Sequence, residues 1–282
     1  TGKSRSLAIG VHMTGLYVGQ ALGGFGAMLS HHLSWENTFI YFGLFGALYA
    51  LVLATFLHET DAQLARIKNG AKTNESQSNG LNNVVQSFGK ILSSVPFWGM
   101  LIFFTATSLP GWATKNWLPT LFEQNLHLNM QVAGPISTAT IALSSFIGVF
   151  VGGAISDRWV RTNVKGRVYT SAMGLGMMAP ALAFLGFGSS YWSVIGGGFL
   201  FGFGLGFFDT NNMPILCQFF SSRYRSTAYG VMNMSGVIAG GYITKMLGKS
   251  TDAGNLGRDF GVMAVVILSL IHISEPTRPE RI

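Results

Sequence analysis

The sequence predicts an all-α polytopic membrane protein with about eight spans, and three observations carry that reading. Hydrophobic residues make up 49% of the chain, charged residues only 10%, and there are 37 glycines; an ordinary soluble domain carries about 25% charged residues. Apolar runs of bilayer length alternate with short polar loops: ~20 residues at ~1.5 Å rise cover the ~30 Å hydrocarbon core. Between two of these runs lies the charged hairpin Val151–Arg167, with Asp157, Arg158, Arg161, Lys165 and Arg167 within a few turns. The runs are too long and too non-alternating for barrel strands, so helices are the spanning structure.

In chain order, a short basic loop at 1–5 leads into spans expected at Leu7–Leu29 and Thr38–Leu57. A polar segment, His58–Val95, follows. Its middle has a flexible linker's composition, and Leu81–Leu92 reads as a surface amphipathic helix. Further spans are expected at Pro96–Leu118, Val132–Gly153, Val168–Gly188, Trp192–Phe219 and Ala228–Leu247, with another from Phe260. Tryptophans 35, 98, 117, 159 and 192 sit near span ends, as interface anchors do.

The net charge of +7 does not point to nucleic acid, because the positive residues fall in alternate loops. Loops 1–5, 58–95, 154–167 and 220–227 hold twelve Lys or Arg, whereas the opposite loops hold only Lys249 and Arg258. The positive-inside rule makes the basic loops cytoplasmic. The one cysteine, Cys217, excludes an internal disulfide and a cysteine-based zinc site. No cofactor or metal site is expected: His31-His32 has no carboxylate neighbours and reads as exposed loop.

An internal repeat sets the larger plan. Arg5-Ser-Leu-Ala-Ile-Gly10-Val recurs as Arg225-Ser-Thr-Ala-Tyr-Gly230-Val, each copy opening a Gly-rich span from a basic loop. Six spans separate the copies, so the unit is six helices, as in membrane proteins built from parallel halves. The expected domains are residues 1–57 as the last two helices of a first half, 58–95 as the inter-half linker, and 96–267 as a second half with a shortened last helix. Leu268–Arg278 resembles the translation of a sequencing-library adapter, so 268–282 is expected to carry no biology.

These features resemble the major facilitator superfamily over about Gly2–Ile267. Gly153-Ala-Ile-Ser-Asp157-Arg158-Trp-Val-Arg161 is similar to its G-x-x-x-D-R signature between helices eight and nine, with Val160 where the fuller motif often has glycine. Gly15-Leu-Tyr-Val-Gly19-Gln20-Ala-Leu-Gly23-Gly24 is similar to the antiporter motif of helix five, with Gln20 in place of its proline, which counts against drug/proton efflux. Trp117-Leu-Pro119-Thr looks like the branch of organic-anion and sugar-phosphate carriers. Gly111 stands where its phosphate-ester members carry an arginine. The resemblance implies an incomplete two-times-six-helix transporter bundle. It further implies a secondary active transporter moving a small polar solute, an organic anion or sugar, by alternating access, coupled to H⁺ or Na⁺. Its partners are then the lipid bilayer, the solute and the coupling cation, in a monomer of the cell's inner or plasma membrane. A transporter-like solute sensor is the alternative, and no enzyme motif appears.

Asp209 is the most informative residue. A charge at the centre of a span costs ~2.5–3.5 kcal/mol on insertion scales, so it should face water. Asn211 and Asn212 flank it, and Pro214 removes a backbone donor nearby. Solute or cation coupling and a structural hydrogen bond are the two readings. Lys115, with Trp112 and Asn116, either binds an anionic group or snorkels to the interface. Gly153, Asp157, Arg158, Arg161, Arg225 and Arg5 are candidate gating residues; the competing reading is that the charges only set topology and bind lipid heads. Glycine ladders at 15/19/23, 148/152 and 198/202/206 read as close helix packing, the first two as a sliding contact between the halves.

Overall fold

The computed structural model describes residues 5–56, 88–163 and 165–274, without the side chains of 5–13, 222–223 and 270–274. Among these residues there are helices and no strand. The helices are α1 (Arg5–Gly23), α2 (Gly26–Leu33), α3 (Trp35–Phe56), α4 (Val95–Leu126), α5 (Met130–Trp159), α6 (Gly166–Phe187), α7 (Tyr191–Phe219), α8 (Ser222–Asp252) and α9 (Leu256–Ser274), with a short helical turn at 88–92. Most of the polar segment 58–95, and the residues from 275 on, lie outside the described residues.

Helices α3, α5, α6 and α7 are long and apolar enough to cross a bilayer. The other long helices, α1, α4, α8 and α9, run 19, 32, 31 and 19 residues but are interrupted by polar side chains. For α4 and α8 the reason is visible: Thr107, Lys115, Tyr229 and Asn233 line an internal cavity instead of facing lipid. Their polarity lowers hydropathy without shortening the helix.

The expected first span, Leu7–Leu29, is two helices. The chain turns at Gly24-Phe25, where the amides of both residues bond three positions back, to Ala21 and Leu22 carbonyls at 3.3 and 3.1 Å. A Cβ on Gly24 would fall 2.9 Å from the Gly134 carbonyl oxygen, so only glycine lets the turn seat against α5.

The chain forms two compact units, residues 1–28 with 95–282, and residues 29–94. The smaller unit contains α3. Ser34 takes the left-handed conformation (φ 68°) that ends α2, and its carbonyl accepts from the Thr38 hydroxyl at 2.8 Å. Thr38 is the buried residue of α3, and Phe39, Tyr41, Phe45 and Tyr49 point outward, as side chains of a spanning helix can in lipid.

In the larger unit α7 is the central rod, packed between α5 and α6. Small residues set that packing. A Cβ on Gly206 would meet α5 backbone, the Val149 nitrogen at 2.6 Å and the Gly148 carbonyl carbon at 2.7 Å. One on Gly152 would lie 2.9 Å from the Phe207 Cα. Gly174 of α6 and Gly204 of α7 face each other's carbonyls, and Gly186 and Gly257 join α6 to α9 in the same way. The Ser145 hydroxyl donates to the Gly202 carbonyl at 2.9 Å, tying α5 to α7. Phe97, Phe122, Phe201, Phe260 and Met178 are fully buried around this frame.

The ladder Gly15/Gly19/Gly23 behaves differently: none of the three has an atom within 4 Å of a would-be Cβ. The expected glycine-on-glycine sliding contact between α1 and α5 is therefore not what joins them. Tyr17 and Ala21 pack on Ala142, Phe146 and Val149 instead, while Gly148 and Gly152 are used by α7.

Candidate functional site

Asp209 lies in the C-terminal half of α7, just beyond the glycines that seat this helix against α5 and α6. The Tyr17 hydroxyl, from α1, donates to its Oδ2 at 3.4 Å. Tyr17 is 3% exposed, its ring fixed by the apolar cluster with Ala142 and Val149. Among the described residues the ion pairs within 4 Å are Arg167–Asp157 and Arg258–Asp259, so Asp209 forms none. Lys115 of α4 lines the same cavity as Asp209.

That cavity has a volume of about 220 Å³ and lies among α1, α4, α7 and α8. Its polar lining is Asp209, Asn212, Lys115, Tyr229, Asn233 and the hydroxyls of Thr107 and Ser108; Phe104, Phe208 and Trp112 supply aromatic walls. Both hydroxyls are already used locally, donating to the Phe103 and Phe104 carbonyls at 2.7 Å. The Asn233 amide likewise donates to the Tyr229 carbonyl at 3.0 Å, so the cavity presents an acid on one wall, a cation on another and the Asn212 amide. A second, larger space of about 570 Å³ is lined by Gln20, Gly24, Pro119 and Thr138, and it shares Leu16 and Lys115 with the first. Lys115 therefore stands at the junction of two cavities. Its Nζ lies 5.7 Å from the Trp112 ring centroid, a cation–π contact that holds the ammonium without neutralising it.

The structure brings Asp209, Asn212, Lys115 and Trp112 to one cavity and leaves two neighbours out. Asn211 is 1% exposed, accepts from the Ser156 hydroxyl of α5 and donates to the Phe207 carbonyl at 2.9 Å. Asn116 donates to Thr244 Oγ1 at 2.8 Å and, with Trp117 Nε1 on the Thr244 carbonyl at 3.2 Å, braces α4 against α8. Trp112 is positioned by Gly240: any Cβ there would overlap its indole ring. Sequence reasoning missed Tyr229 and Asn233, which line the cavity, and Tyr17, which reaches Asp209 from the apolar cluster beside it. Tyr17 lies inside the quoted antiporter-like stretch, and Tyr229 and Asn233 are one turn apart on the α8 face that also carries Gly236.

The candidate gating residues lie around the hairpin and the α7–α8 junction. Arg167 Nη2 pairs with Asp157 Oδ1 at 3.3 Å, clasping the ends of α5 and α6. Gly153 leaves a would-be Cβ 3.3 Å from Thr210 Oγ1, one residue after Asp209. Arg158 and Arg161 are exposed. Arg225 donates from Nε to the Phe220 carbonyl at 2.8 Å and from Nη2 to the Cys217 carbonyl at 2.9 Å, so it caps the C-terminal end of α7. The side chain of Arg5 lies outside the described residues.

Comparison with known proteins bears on what this arrangement serves. Among curated relatives, the chain is similar to probable anion transporter 3, chloroplastic, of Oryza sativa subsp. japonica, 26% identical over 250 residues covering 83% of this chain and 47% of that protein. It is 24% identical to probable anion transporter 4, chloroplastic, of Arabidopsis thaliana, over 86% of this chain and 49% of the relative. With the ascorbate transporter, chloroplastic, of Arabidopsis thaliana it shares 25% identity over 94% of this chain and 50% of the relative. The chain spans about half the length of the curated relatives it matches. The expected setting in the cell's inner or plasma membrane is corrected by these names, which assign the relatives to the chloroplast. The resemblance that implied it, and the loop charges that orient the chain, carry nothing about which membrane is crossed. The family model described as the Major Facilitator Superfamily matches residues 1–244. With a bundle of spanning helices around an acid-lined cavity, and that match over most of its length, the chain belongs to the Major Facilitator Superfamily.

Proposed function

We propose that the chain is part of a secondary active transporter that moves a small organic anion across a chloroplast membrane by alternating access, with Asp209 as the cation-coupling residue. The observation that carries the proposal is the position of Lys115, exposed, free of a carboxylate partner among the described residues, and shared by both cavities. An ammonium at a cavity junction attracts a carboxylate and leaves a neutral sugar no comparable advantage, which favours an anion over a sugar. Anion transporters and an ascorbate transporter among the relatives support the same class. A cavity of about 220 Å³ exceeds the ~150 Å³ that holds benzene, in keeping with a small hydroxylated acid.

Asp209 suits coupling to H⁺ or Na⁺. Its partner is a single long hydrogen bond from Tyr17, and a proton or sodium ion on the carboxylate would compete with that bond. Residues 1–57 and 96–267 would belong to opposite halves, joined by the 58–95 linker, in a lipid-embedded monomer.

The test is uptake of labelled ascorbate by the full-length protein in liposomes, under an imposed pH or Na⁺ gradient. Uptake should saturate, respond to one of the gradients, and show a KM raised about tenfold in Lys115→Gln, the loss of one charge-assisted contact. Transport of neutral sugars with no uptake of ascorbate or other small carboxylates would overturn the anion assignment.

A further inference from the structure

Helices α4 and α8 meet along a seam with a fixed register. A Cβ on Gly236 would lie 3.0 Å from Ser108 Oγ, one on Gly240 would overlap the Trp112 indole, and Asn116 donates to Thr244 Oγ1 at 2.8 Å. The three pairs share one sequence offset, 128 residues, and step along both helices by four, so they are successive turns of one contact. The Thr105–Ser235 hydroxyl pair at 2.8 Å and Trp117 Nε1 on the Thr244 carbonyl at 3.2 Å tie the seam on either side of the indole.

Gly240 is buried in this seam, and the atoms nearest to its would-be Cβ are Cδ1, Cγ and Cδ2 of Trp112, at 2.5, 2.5 and 2.7 Å. A methyl there would stand on the face of the pyrrole ring, about 1 Å inside the ~3.5–4.0 Å at which carbon atoms rest. Because the seam is tied on both sides, sliding along it cannot absorb the overlap. The indole itself has to move, and the space open to it is the cavity of about 220 Å³ that it lines. Trp112 is also the seat of Lys115, three residues on, whose Nζ lies 5.7 Å from the ring centroid. Lys115 is exposed and forms no ion pair among the described residues, so the indole is the contact that places its ammonium at the junction of the two cavities.

We infer that Gly240 is a positioning residue for solute binding: its bare backbone sets the Trp112 indole, and through it the Lys115 ammonium, where the anion is received. The inference rests on Lys115 receiving the anion, and it adds a residue that itself lines neither cavity. Glycine in a helix interior is otherwise a disadvantage beside alanine, so nothing in α8 alone calls for one here.

The test measures uptake of labelled ascorbate by the full-length protein in liposomes, with Gly240→Ala placed in the native and the Lys115→Gln backgrounds. Gly240→Ala alone should raise KM about two- to fivefold, the worth of one cation–π contact, with the maximal rate little changed. In Lys115→Gln it should add nothing, because the ammonium that the indole positions is already gone. Trp112→Phe combined with Gly240→Ala should regain part of the affinity, since the smaller ring leaves room for the methyl and still offers the ammonium a face. This double variant relieves the overlap and stays measurable even if Gly240→Ala alone folds poorly; a KM at the Lys115→Gln level in it would overturn the inference. A second readout needs no solute. In 5-fluorotryptophan-labelled protein in lipid nanodiscs, the ¹⁹F resonance of Trp112, assigned by its loss in Trp112→Phe, should move in Gly240→Ala. An unmoved resonance, an unchanged KM in Gly240→Ala, or an equal rise in both backgrounds would each overturn the inference while leaving the anion reading intact. A KM that Lys115→Gln leaves unchanged would overturn the anion reading, and this inference with it.

Discussion

The Tyr17 hydroxyl reaches the Asp209 carboxylate at 3.4 Å, joining two residues 192 positions apart through one long hydrogen bond. The bond links α1, on one side of the polar linker, to α7 on the other, and it ends on the carboxylate proposed to couple transport. Removing the acid and removing the tie should then have different consequences. Asp209→Asn should abolish gradient-driven accumulation while expression is maintained, because a neutral amide cannot exchange a cation. Tyr17→Phe should reduce accumulation, by about tenfold or less, since it takes away one hydrogen bond to a charged group and leaves the acid in place. Uptake in liposomes, normalised to protein inserted, measures both; equal loss in the two variants would mean that Tyr17 acts as more than a tie.

Helix packing makes a sharper structural prediction. Gly174 and Gly176 are two residues apart on α6, yet a Cβ on the first would lie 2.8 Å from Phe207 Cβ, and one on the second would meet nothing within 4 Å. Gly174→Val should destabilise the protein by about 1–3 kcal/mol through overpacking against α7. Gly176→Ala should be neutral or stabilising by up to ~1 kcal/mol, because the helix gains rigidity at no steric cost. Thermal unfolding of the detergent-solubilised protein reads both.

The contrast between those glycines shows how far the sequence could be read. Helical spacing identifies a face, so Asp209 and Asn212, three apart, could be placed on one side of α7, with Asn211 turned away by about 130° from the mean of that pair. Applied strictly, that geometry would have removed Asn211 from the cavity set. It sits instead on Ser156, while Asn212 lines the cavity. Lys115 and Trp112 follow the same rule on α4. Partner choice across helices obeys no such spacing. The ladder at Gly15, Gly19 and Gly23 was as legible as Gly148 and Gly152, but only the second meets α7 backbone. Tyr17 was illegible for the same reason: an isolated tyrosine in a Gly-rich span looks like an interface anchor until the carboxylate opposite is known. The polar breaks in α4 and α8, by contrast, were predictable consequences of facing a cavity.

Arg225 tests whether the basic residues at the α7–α8 junction serve structure. Its guanidinium spans the Cys217 and Phe220 carbonyls, at 2.9 and 2.8 Å, at the negative end of the α7 dipole. Arg225→Ala should cost about 1–2 kcal/mol in thermal stability, and Arg225→Lys should recover only part of it, because one ammonium cannot follow the fork geometry that reaches both carbonyls. A variant with unchanged stability and slowed uptake would assign Arg225 to gating instead.

The hairpin pair Asp157–Arg167 separates the same two roles with the opposite expectation. The contact is 3.3 Å long, and the side chains retain 21% and 36% exposure for Arg167 and Asp157. A pair that open to solvent contributes at most ~1 kcal/mol to stability. Asp157→Asn should therefore melt within a few degrees of the wild type. The bond nevertheless holds the ends of α5 and α6 together next to Gly153, whose missing side chain brings Thr210 of α7 close, one residue from Asp209. If the hairpin latches the basic side during the transport cycle, Asp157→Asn and Arg167→Gln should each slow turnover by about tenfold with KM little changed. The exchanged pair Asp157→Arg with Arg167→Asp should restore part of the rate, since the latch needs opposite charges at these two positions and not a particular order. Initial rates of uptake for the four proteins decide the matter: matched, wild-type turnover in all of them would reduce the hairpin charges to setting topology, with the latch assigned to Gly153 and the glycine seam alone.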